Sequence, residues 1–387
     1  MSRSSAAPRP PVPSSMPRVR RIVGVDTARG LAVLGMVTAH VGLDDPDRAF
    51  PPGGWSQLAD GRPSALFVLL AGVGLALLSG GDDPVDGTRL VQARLRVLVR
   101  AVLLVVLGTL LVLLDTPVVV ILVVYAGLFA AGVAVLRWPR WALVVAAVVV
   151  ALLGPVVRRQ VAPHLEVTDA RPLDLPAVLV GDYYPAVVWL AYVLVGLAVG
   201  RSDLRAARTH AALLVWGVAL VALGHGGAWA ARLVLGRVTE LTTSEPHSST
   251  FFEVAGNTGA CLLVLAVCLA VGTRWPRLLA PLSATGALAL TAYTGQLLVI
   301  AVLGDEVVWE PTLGSWLAFL LVTLALCWVW HATLGRGPLE LLLHTVSLRA
   351  ADVAPDVLPA RRGAARDASD EGAGDPDRPV AGAERPR

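Results

Sequence analysis

Residues 20–43 read RRIVGVDTARGLAVLGMVTAHVGL, and residues 58–78 read LADGRPSALFVLLAGVGLALL. Both stretches are apolar runs of about twenty residues, the length of helix that crosses the hydrocarbon core of a bilayer. The first run contains Asp26, Arg29 and His40, although an ionisable side chain inside a membrane-spanning helix is costly and is usually retained for function. The two runs therefore predict a pair of membrane helices that carry functional polar side chains.

The three ionisable side chains of the first run share one side of the predicted helix. At about 100° per residue, the eleven steps from Arg29 to His40 bring the two residues to within roughly 20° of each other, and Asp26 lies within about 60° of Arg29. At about 1.5 Å per residue, Arg29 and His40 are roughly 16 Å apart along the helix axis. The sequence thus predicts a polar stripe that runs from one membrane surface towards the other.

The composition of the whole chain is that of a membrane protein. Hydrophobic residues make up 55% of the 387 residues and charged residues only 16%, which is too few charges to cover a soluble protein of this length. Runs such as residues 141–154, WALVVAAVVVALLG, lack the alternation of a transmembrane β-strand. We therefore expect an all-α integral membrane protein with about ten transmembrane helices. They are predicted near residues 22–43, 63–80, 97–114, 117–136, 141–157, 184–200, 210–235, 256–273, 283–303 and 313–333.

Composition also divides the chain into three regions. Residues 1–19 and 350–387 are rich in Pro, Ala and charged side chains without apolar periodicity, which predicts disordered tails on either side of a membrane domain of residues 20–349. Loops on the N-terminal side of the predicted spans carry most of the arginines, and Arg158, Arg159 and Arg171 are exceptions. Because arginine-rich loops face the cytoplasm, both tails are expected to be cytoplasmic and the protein to lie in the cell (plasma) membrane.

The outer ends of the first two spans combine side chains that suit acyl transfer. A neutral imidazole is a suitable general base near physiological pH, a carboxylate orients it, and a guanidinium stabilises a developing oxyanion. We therefore predict His40, Asp60 and Arg62 as catalytic residues. Residues of three outer loops are expected to bind the acceptor, namely Trp55, Asp182, Tyr184 and His247.

Ionisable residues at the inner ends of the spans suit a phosphate-bearing donor, because arginine binds phosphate through paired N–H groups. The predicted donor-binding residues are Asp26, Arg29, Arg94 and Arg100. Simpler interpretations stay open: a helix-end ion pair for Asp26 and Arg29, a helix cap for Asp60, an interfacial histidine for His40, and topology signals for the other arginines. The three cysteines fall within apolar runs, so neither a disulfide framework nor a metal site is expected.

Six stretches, in this order, resemble bacterial relatives of heparan-α-glucosaminide N-acetyltransferase and the related YeiB-like membrane proteins. They are VDTARGLAVLGMVTAH (25–40), ADGRPSALFVLLAGVGLAL (59–77), DYYPAVVWLAYVLVGLAVGR (182–201), PHSSTFFEVAGNTGACLLVLAVCL (246–269), LALTAYTGQLL (288–298) and GRGPLELLLH (335–344). The resemblance implies a transmembrane acyltransferase that takes acetyl-CoA from the cytoplasm and acetylates a substrate on the far side through a histidine. The family's active histidine lies in the loop before the second span, where this chain has none, and His40 is the nearest replacement.

The predicted function is a membrane-embedded acyltransferase that moves an acetyl or other acyl group from cytoplasmic acyl-CoA to a sugar or other cell-envelope molecule on the outer face. The alternatives are a transporter or flippase that uses the same polar stripe, or a non-catalytic membrane scaffold. The inverted repeat typical of many transporters is not found in the sequence. The expected partners are the lipid bilayer and a small-molecule or glycan acceptor, but not nucleic acid, and a homodimer is left open.

Overall fold

The computed structural model describes residues 21–43, 59–165, 167, 173–237 and 239–352. Within these residues the protein is all-helical and contains no β-strand, as the apolar runs predict. The helices are α1 (Val23–Val41), α2 (Arg62–Leu78), α3 (Gly87–Val112), α4 (Leu122–Ala134), α5 (Arg140–Val161), α6 (Leu175–Val180), α7 (Ala186–Gly200), α8 (Ala207–Val221), α9 (Gly227–Leu235), α10 (Phe251–Arg274), α11 (Ala280–Ala287), α12 (Ala289–Leu303), α13 (Glu306–Trp309), α14 (Leu313–Thr333) and α15 (Pro338–Ala350). A π-helical turn, Ala222–Gly226, joins α8 to α9.

Helices occur at all ten positions where the sequence predicts a span. Within the part of the chain that the structure describes, five helical segments are long and apolar enough to cross a membrane, and a sixth is added if the bent pair α11 and α12 is counted as one span. The five are Gly87–Val112, Arg140–His164, Ala207–Leu235, Phe251–Arg274 and Leu313–Thr333. The helices α2, α4 and α7 are apolar but shorter. The structure therefore supports a membrane protein with several spans, and the count of ten stays a prediction.

The ninth predicted span, residues 283–303, is wrong as a single straight helix. The helix is interrupted at Leu288, and the axes of α11 and α12 form a bend of 80°. The break leaves backbone N–H groups at the start of α12 without helical partners, a cost that hydrocarbon cannot relieve. The carboxylate of Glu340 in α15 accepts hydrogen bonds from the N–H groups of Leu290 (2.8 Å) and Thr291 (3.0 Å), and this cap stabilises the break.

Small residues allow the central helices to pack with their backbones in contact. The helix α2 packs against α7, where a Cβ atom at Gly196 would collide with the carbonyl oxygen of Leu69. The helix α1 packs against α11, where a Cβ atom at Gly286 would collide with the carbonyl oxygen of Asp26. Close approach through glycine is a common basis of helix association in lipid. These contacts hold α1 and α2, which carry the polar motifs, in the middle of the bundle.

Arg201 fixes the inner ends of α2 and α7. Arg201 is only 8% exposed. Its guanidinium donates hydrogen bonds to the carbonyl oxygens of Ala76 (3.2 Å), Gly81 (2.6 Å) and Leu136, and to Ser79 Oγ (2.9 Å). A cation at the end of a helix satisfies carbonyl groups that have no intrahelical donor. Arg201 therefore has a structural role at this end of α7.

Candidate active site

A cavity of about 360 Å³ lies between α1, α2, α3, α4, α12 and α15. It is lined by four arginines from three parts of the chain: Arg21 and Arg29 at the start of α1, Arg100 in α3, and Arg336 just before α15. Asp26 and Glu340 are the acidic residues of its lining, and His344 is its histidine. A neighbouring cavity of about 560 Å³ shares Arg21, Asp26 and Arg29 and adds Arg205. The sequence-predicted donor residues Asp26, Arg29 and Arg100 are thus brought to one cavity, which we call the arginine cavity.

The arginine cavity follows α2 through most of its length. Its lining includes α2 residues from Leu78, at the inner end of the helix, to Phe67, with Leu75, Ala71 and Leu70 between them. At about 1.5 Å per residue, Leu78 and Phe67 are roughly 16 Å apart along the axis, and Phe67 is roughly 8 Å from Arg62. The cavity therefore has a charged inner end and an apolar portion that reaches towards the outer end of α2.

Arg29 forms the predicted ion pair with Asp26, with Arg29 Nη1 3.1 Å from Asp26 Oδ1. Because both residues also line the arginine cavity, the ion pair and a role in a polar site are compatible. His40 is not among the residues that line this cavity. Its Nδ1 atom lies 3.0 Å from Nε2 of Gln296, a buried residue of α12. Asp26 and Arg29 therefore line the arginine cavity, whereas His40 contacts α12, and a polar stripe that continues from Arg29 to His40 stays a prediction.

The helix α3 adds further positive charge beside the arginine cavity. Arg100 Nε donates to Ser347 Oγ at 3.3 Å, whereas the Nε atoms of Arg94 and Arg96 are buried without a hydrogen-bond partner. Arg94 is not among the lining residues of the cavity. Burial lowers the pKa of the His344 imidazole, and the charges of neighbouring arginines lower this pKa further; they are Arg336, Arg100 and Arg96. The inner end of the cavity is thus strongly electropositive.

Sequence reasoning missed Glu340, which lies between the arginine cavity and the start of α12. Its Oε1 atom accepts the two α12 N–H groups described above, and its Oε2 atom accepts from Thr291 Oγ1 at 2.5 Å. Glu340 and Thr291 are 49 positions apart in the chain, so no local motif indicates this cap. The only available signal is an acidic residue in an otherwise apolar stretch, PLELLLH (338–344).

A second polar site lies at the start of α10, on the side of the predicted outer loops. Thr250 is the N-cap of α10, and its Oγ1 accepts from the N–H of Glu253 at 3.1 Å. The Glu253 carboxylate then accepts from the N–H groups of His247 (2.8 Å) and Ser249 (2.6 Å) and from Ser248 Oγ (3.2 Å). The loop of residues 247–249 is therefore wrapped around one buried carboxylate.

His247 is held in a defined orientation at this site. Its Nδ1 atom lies 3.2 Å from the carbonyl oxygen of Tyr183, and its ring contacts the rings of Tyr183 and Tyr184 edge-on at 5.4 and 5.8 Å. Because a carbonyl only accepts, Nδ1 carries the proton and Nε2 is the basic nitrogen of the neutral ring. A Cβ atom at Gly61 would lie 3.9 Å from Nε2, so the basic nitrogen faces the start of α2.

We call this second site the outer cluster, defined by Gly61, Tyr183, Tyr184, His247 and Glu253. Arg62 belongs beside it, because its carbonyl oxygen lies 3.9 Å from Cys261 Sγ in α10 and its charge acts on His225 in the π-helical turn. The catalytic set predicted from the sequence combined Arg62 and Asp60 with His40. The structure brings Arg62 and the Asp60–Gly61 turn together with His247 and α10, whereas His40 contacts Gln296.

The remaining residues that the sequence predicts to bind an acceptor have different surroundings. Asp182 forms an ion pair with Arg158 at 2.7 Å, and Glu240 forms one with Arg159 at 3.0 Å. These two pairs explain why Arg158 and Arg159 depart from the arginine pattern, since each has an acidic partner. Tyr184 contacts His247 and forms a hydrogen bond with Ser64 of α2. Trp55 lies outside the described residues.

The fold and the two sites define a helical membrane protein with an arginine-lined cavity on one side of the bundle and a histidine site on the other. The model of the family "Heparan-alpha-glucosaminide N-acetyltransferase, catalytic" matches residues 21–226, more than half of the chain. The chain belongs to this family. A second family model, "Protein of unknown function (DUF418)", matches residues 199–350, which include His247, Glu253 and Glu340. No curated protein matches the chain.

Proposed function

We propose that the protein is a membrane acetyltransferase that takes an acetyl group from acetyl-CoA in the arginine cavity and transfers it to an acceptor at the outer cluster. Family membership supports acetyl transfer and implies acetyl-CoA as the co-substrate. The observation that carries the proposal is the cavity itself, which begins among four arginines and follows α2 towards Arg62. Family membership does not favour the alternative of a transporter or flippase.

The arginine cavity fits the donor in charge and in polarity. CoA carries several phosphate groups, and guanidinium groups bind phosphate oxygens through paired hydrogen bonds. Arg21, Arg100 and Arg336 would hold these phosphates. The guanidinium of Arg29 also forms an ion pair with Asp26, so only part of it would be available to a phosphate. The buried Nε atom of Arg96, which has no partner, is a further donor close to this group. The apolar portion of the cavity, from Leu75 to Phe67, suits the arm that carries the thioester.

At the outer cluster, His247 is the general base that the geometry favours. Nε2 of His247 removes the proton from the acceptor hydroxyl or amine as the acceptor oxygen or nitrogen bonds to the acetyl carbonyl carbon. Acetyl-CoA supplies the acetyl group as a thioester, whose C–S bond breaks; the protonated His247 then gives its Nε2 proton to the sulfur, which leaves as the CoA thiol. Arg62 stabilises the negative charge that develops on the carbonyl oxygen. Asp60 precedes Arg62 in the same turn, and its proposed role is to orient the His247 imidazole and the Arg62 guanidinium.

His40 is retained as the second candidate for the reacting histidine. It lies on the same helix as the donor residues Asp26 and Arg29, and Gln296 holds its ring in place. His247 is favoured because its tautomer is fixed by Tyr183 and its Nε2 atom faces Gly61. The two assignments make opposite predictions for single substitutions, which are given in the Discussion.

The proposal includes a topology. Ten spans with both termini in the cytoplasm of a plasma-membrane protein would place the arginine cavity on the cytoplasmic side, where acetyl-CoA is made. The outer cluster would then meet a sugar or another cell-envelope molecule, with Tyr183 and Tyr184 as the stacking surface. Aromatic side chains that combine an apolar face with a polar edge suit such ligands.

The test is transfer across a sealed membrane. The purified protein is placed in liposomes, [¹⁴C]acetyl-CoA is added outside and glucosamine, as the probe acceptor, is enclosed within. Labelled N-acetylglucosamine is expected inside those vesicles whose cytoplasmic face points outwards. The proposal is overturned if no label leaves acetyl-CoA, or if transfer needs both reactants on the same side. Protein-free liposomes give the background rate.

A further inference from the structure

We propose that Glu253 is the positioning residue of the outer cluster: its buried carboxylate fixes the loop of residues 247–249 and thereby aims Nε2 of His247 at the start of α2. This inference rests on the proposed function only in assigning His247 as the base. The role of the carboxylate in holding the loop is a separate claim, which is tested by a separate measurement. Sequence reasoning did not single out Glu253.

The first argument is the number of bonds to one buried group. Glu253 is 4% exposed, and its two carboxylate oxygens accept from four donors. Three belong to consecutive loop residues: the N–H of His247, the N–H of Ser249, and the hydroxyl of Ser248, which shares its one proton with the carbonyl oxygen of Glu245 (2.7 Å). The fourth is Asn257 Nδ2, one helical turn further along α10, at 3.3 Å. A buried carboxylate is costly unless its oxygens accept hydrogen bonds, and these donors supply them.

The second argument is the strained backbone of the same loop. His247 has φ = 61° and Ser249 has φ = 54°, values in the left-handed region that non-glycine residues rarely adopt. Such conformations persist when the surroundings determine them fully, and they are concentrated at functional sites. The two strained residues are those whose N–H groups point at Glu253. The carboxylate is therefore what holds the loop in this shape.

The third argument is that Glu253 is not needed as the cap of α10. Thr250 already supplies the N-cap hydrogen bond, to the N–H of Glu253 itself. In an ordinary capping box the acidic side chain would return to the N–H of the N-cap residue. Here the carboxylate reaches past Thr250 to Ser249 and His247. Its bonds therefore serve the position of the histidine more than the start of the helix.

The charged carboxylate, and not merely its shape, is required by this arrangement. Glutamine at this position would keep one acceptor oxygen and present an NH₂ group to donors on the other side. Two donors that face each other cannot bond, so part of the loop would lose its partner. A Glu253→Gln variant is thus the smallest change that releases the loop. Thr250→Ala is the matched control, because it removes the cap of α10 and the bond from Thr250 Oγ1 to the carbonyl oxygen of Thr243, and leaves both carboxylate oxygens of Glu253 in place.

The experiment compares wild-type protein, E253Q, T250A and the double variant E253Q/S249G, all purified in detergent with thermal melts. The first measurement is the rate at which diethyl pyrocarbonate modifies His247, followed by mass spectrometry of the peptide. The second is kcat and KM for transfer from acetyl-CoA to glucosamine. In E253Q we expect faster modification of His247, a fall in kcat of about 10–100-fold from misplacement of the base, and a nearly unchanged KM for acetyl-CoA.

T250A should lose thermal stability and keep the wild-type modification rate and kcat. Glycine adopts positive φ without steric cost, so S249G should restore part of the lost kcat when added to E253Q, and it provides a folded sample if E253Q alone aggregates. The inference is overturned if E253Q matches T250A in both measurements, or if kcat falls while modification of His247 is unchanged. If wild-type protein transfers no acetyl group, the proposed function fails, and the modification rates alone decide the role of Glu253.

Discussion

Nδ1 of His247 lies 3.2 Å from the carbonyl oxygen of Tyr183. This carbonyl therefore determines that Nδ1 carries the proton and that Nε2 is the basic nitrogen of the imidazole. Tyr183 comes just before α7, and His247 comes just before α10. One hydrogen bond therefore joins two outer loops that are 64 positions apart in the chain. A histidine whose tautomer is fixed in this way can act as a base without first reorienting its ring.

The first prediction separates the two histidines. His247→Ala should lower kcat for acetyl transfer by about 10²–10⁴-fold, the usual contribution of a general base, with little change in acetyl-CoA binding. His40→Ala should lower kcat much less, because it removes a contact to Gln296 of α12 and leaves the bonds of His247 in place. The measurements are steady-state transfer to glucosamine and equilibrium binding of acetyl-CoA. A large loss in His40→Ala with an active His247→Ala would instead assign the reaction to His40.

Sequence reasoning succeeded where local rules decide the outcome. Helical arithmetic placed Asp26 and Arg29 on one side of α1, and the structure shows them as an ion pair that lines a cavity. It did not find Glu253 or Glu340. Thr250 and Glu253 have the spacing of a capping box, but that spacing does not indicate that the carboxylate bonds to His247 and Ser249. The partners of Glu340 lie about 50 positions away, beyond the reach of any local motif. The same is true of the break at Leu288, since residues 283–303 contain no proline to mark a bend, and the carboxylate that stabilises the bend lies 50 positions beyond Leu290.

The second prediction concerns the donor phosphates. Arg336→Ala should weaken acetyl-CoA binding by about 10–100-fold, since a hydrogen bond to a charged group contributes about 1.5–3 kcal/mol. Equilibrium binding of labelled acetyl-CoA to protein in detergent measures the change. Arg137→Ala is the control, because Arg137 is held in an exposed ion pair with Asp86 and does not line the arginine cavity. Equal affinities for both variants would contradict donor binding in this cavity.

The third prediction follows from the pKa of His344, which burial and three arginines hold below its ordinary value. Phosphates bound to these arginines should offset their charge and raise the pKa of His344, so acetyl-CoA binding should take up protons. His344 then has a higher pKa in the acetyl-CoA complex than in the free protein. The affinity for acetyl-CoA should rise as the pH falls through the pKa of the complex. It should become constant once the pH is below the pKa of the free protein. Titration calorimetry near pH 6, in two buffers that differ in ionisation enthalpy, measures the uptake.

His344→Asn isolates the contribution of this residue, because the phosphates of CoA themselves titrate in the same pH range. The uptake attributed to His344 is the difference between wild-type protein and this variant. Identical proton exchange in both proteins would show that ligand phosphates do not approach the inner end of the cavity.

The last prediction tests the packing that places α2 beside α7. Gly196→Ala should destabilise the protein by about 1–3 kcal/mol, as overpacking of a well-filled interior usually does. The reason is that its Cβ atom would collide with the carbonyl oxygen of Leu69 and come within 3.0 Å of Gly72 Cα, and neither backbone can move without shifting its helix.

Gly295→Ala in α12 is the matched control, since no atom lies within 4 Å of its added Cβ. Alanine is the better helix former, so this control should leave stability unchanged or raise it by up to about 1 kcal/mol. Thermal unfolding in detergent measures both variants, and a Gly196→Ala protein as stable as Gly295→Ala would mean that α2 and α7 are not in backbone contact.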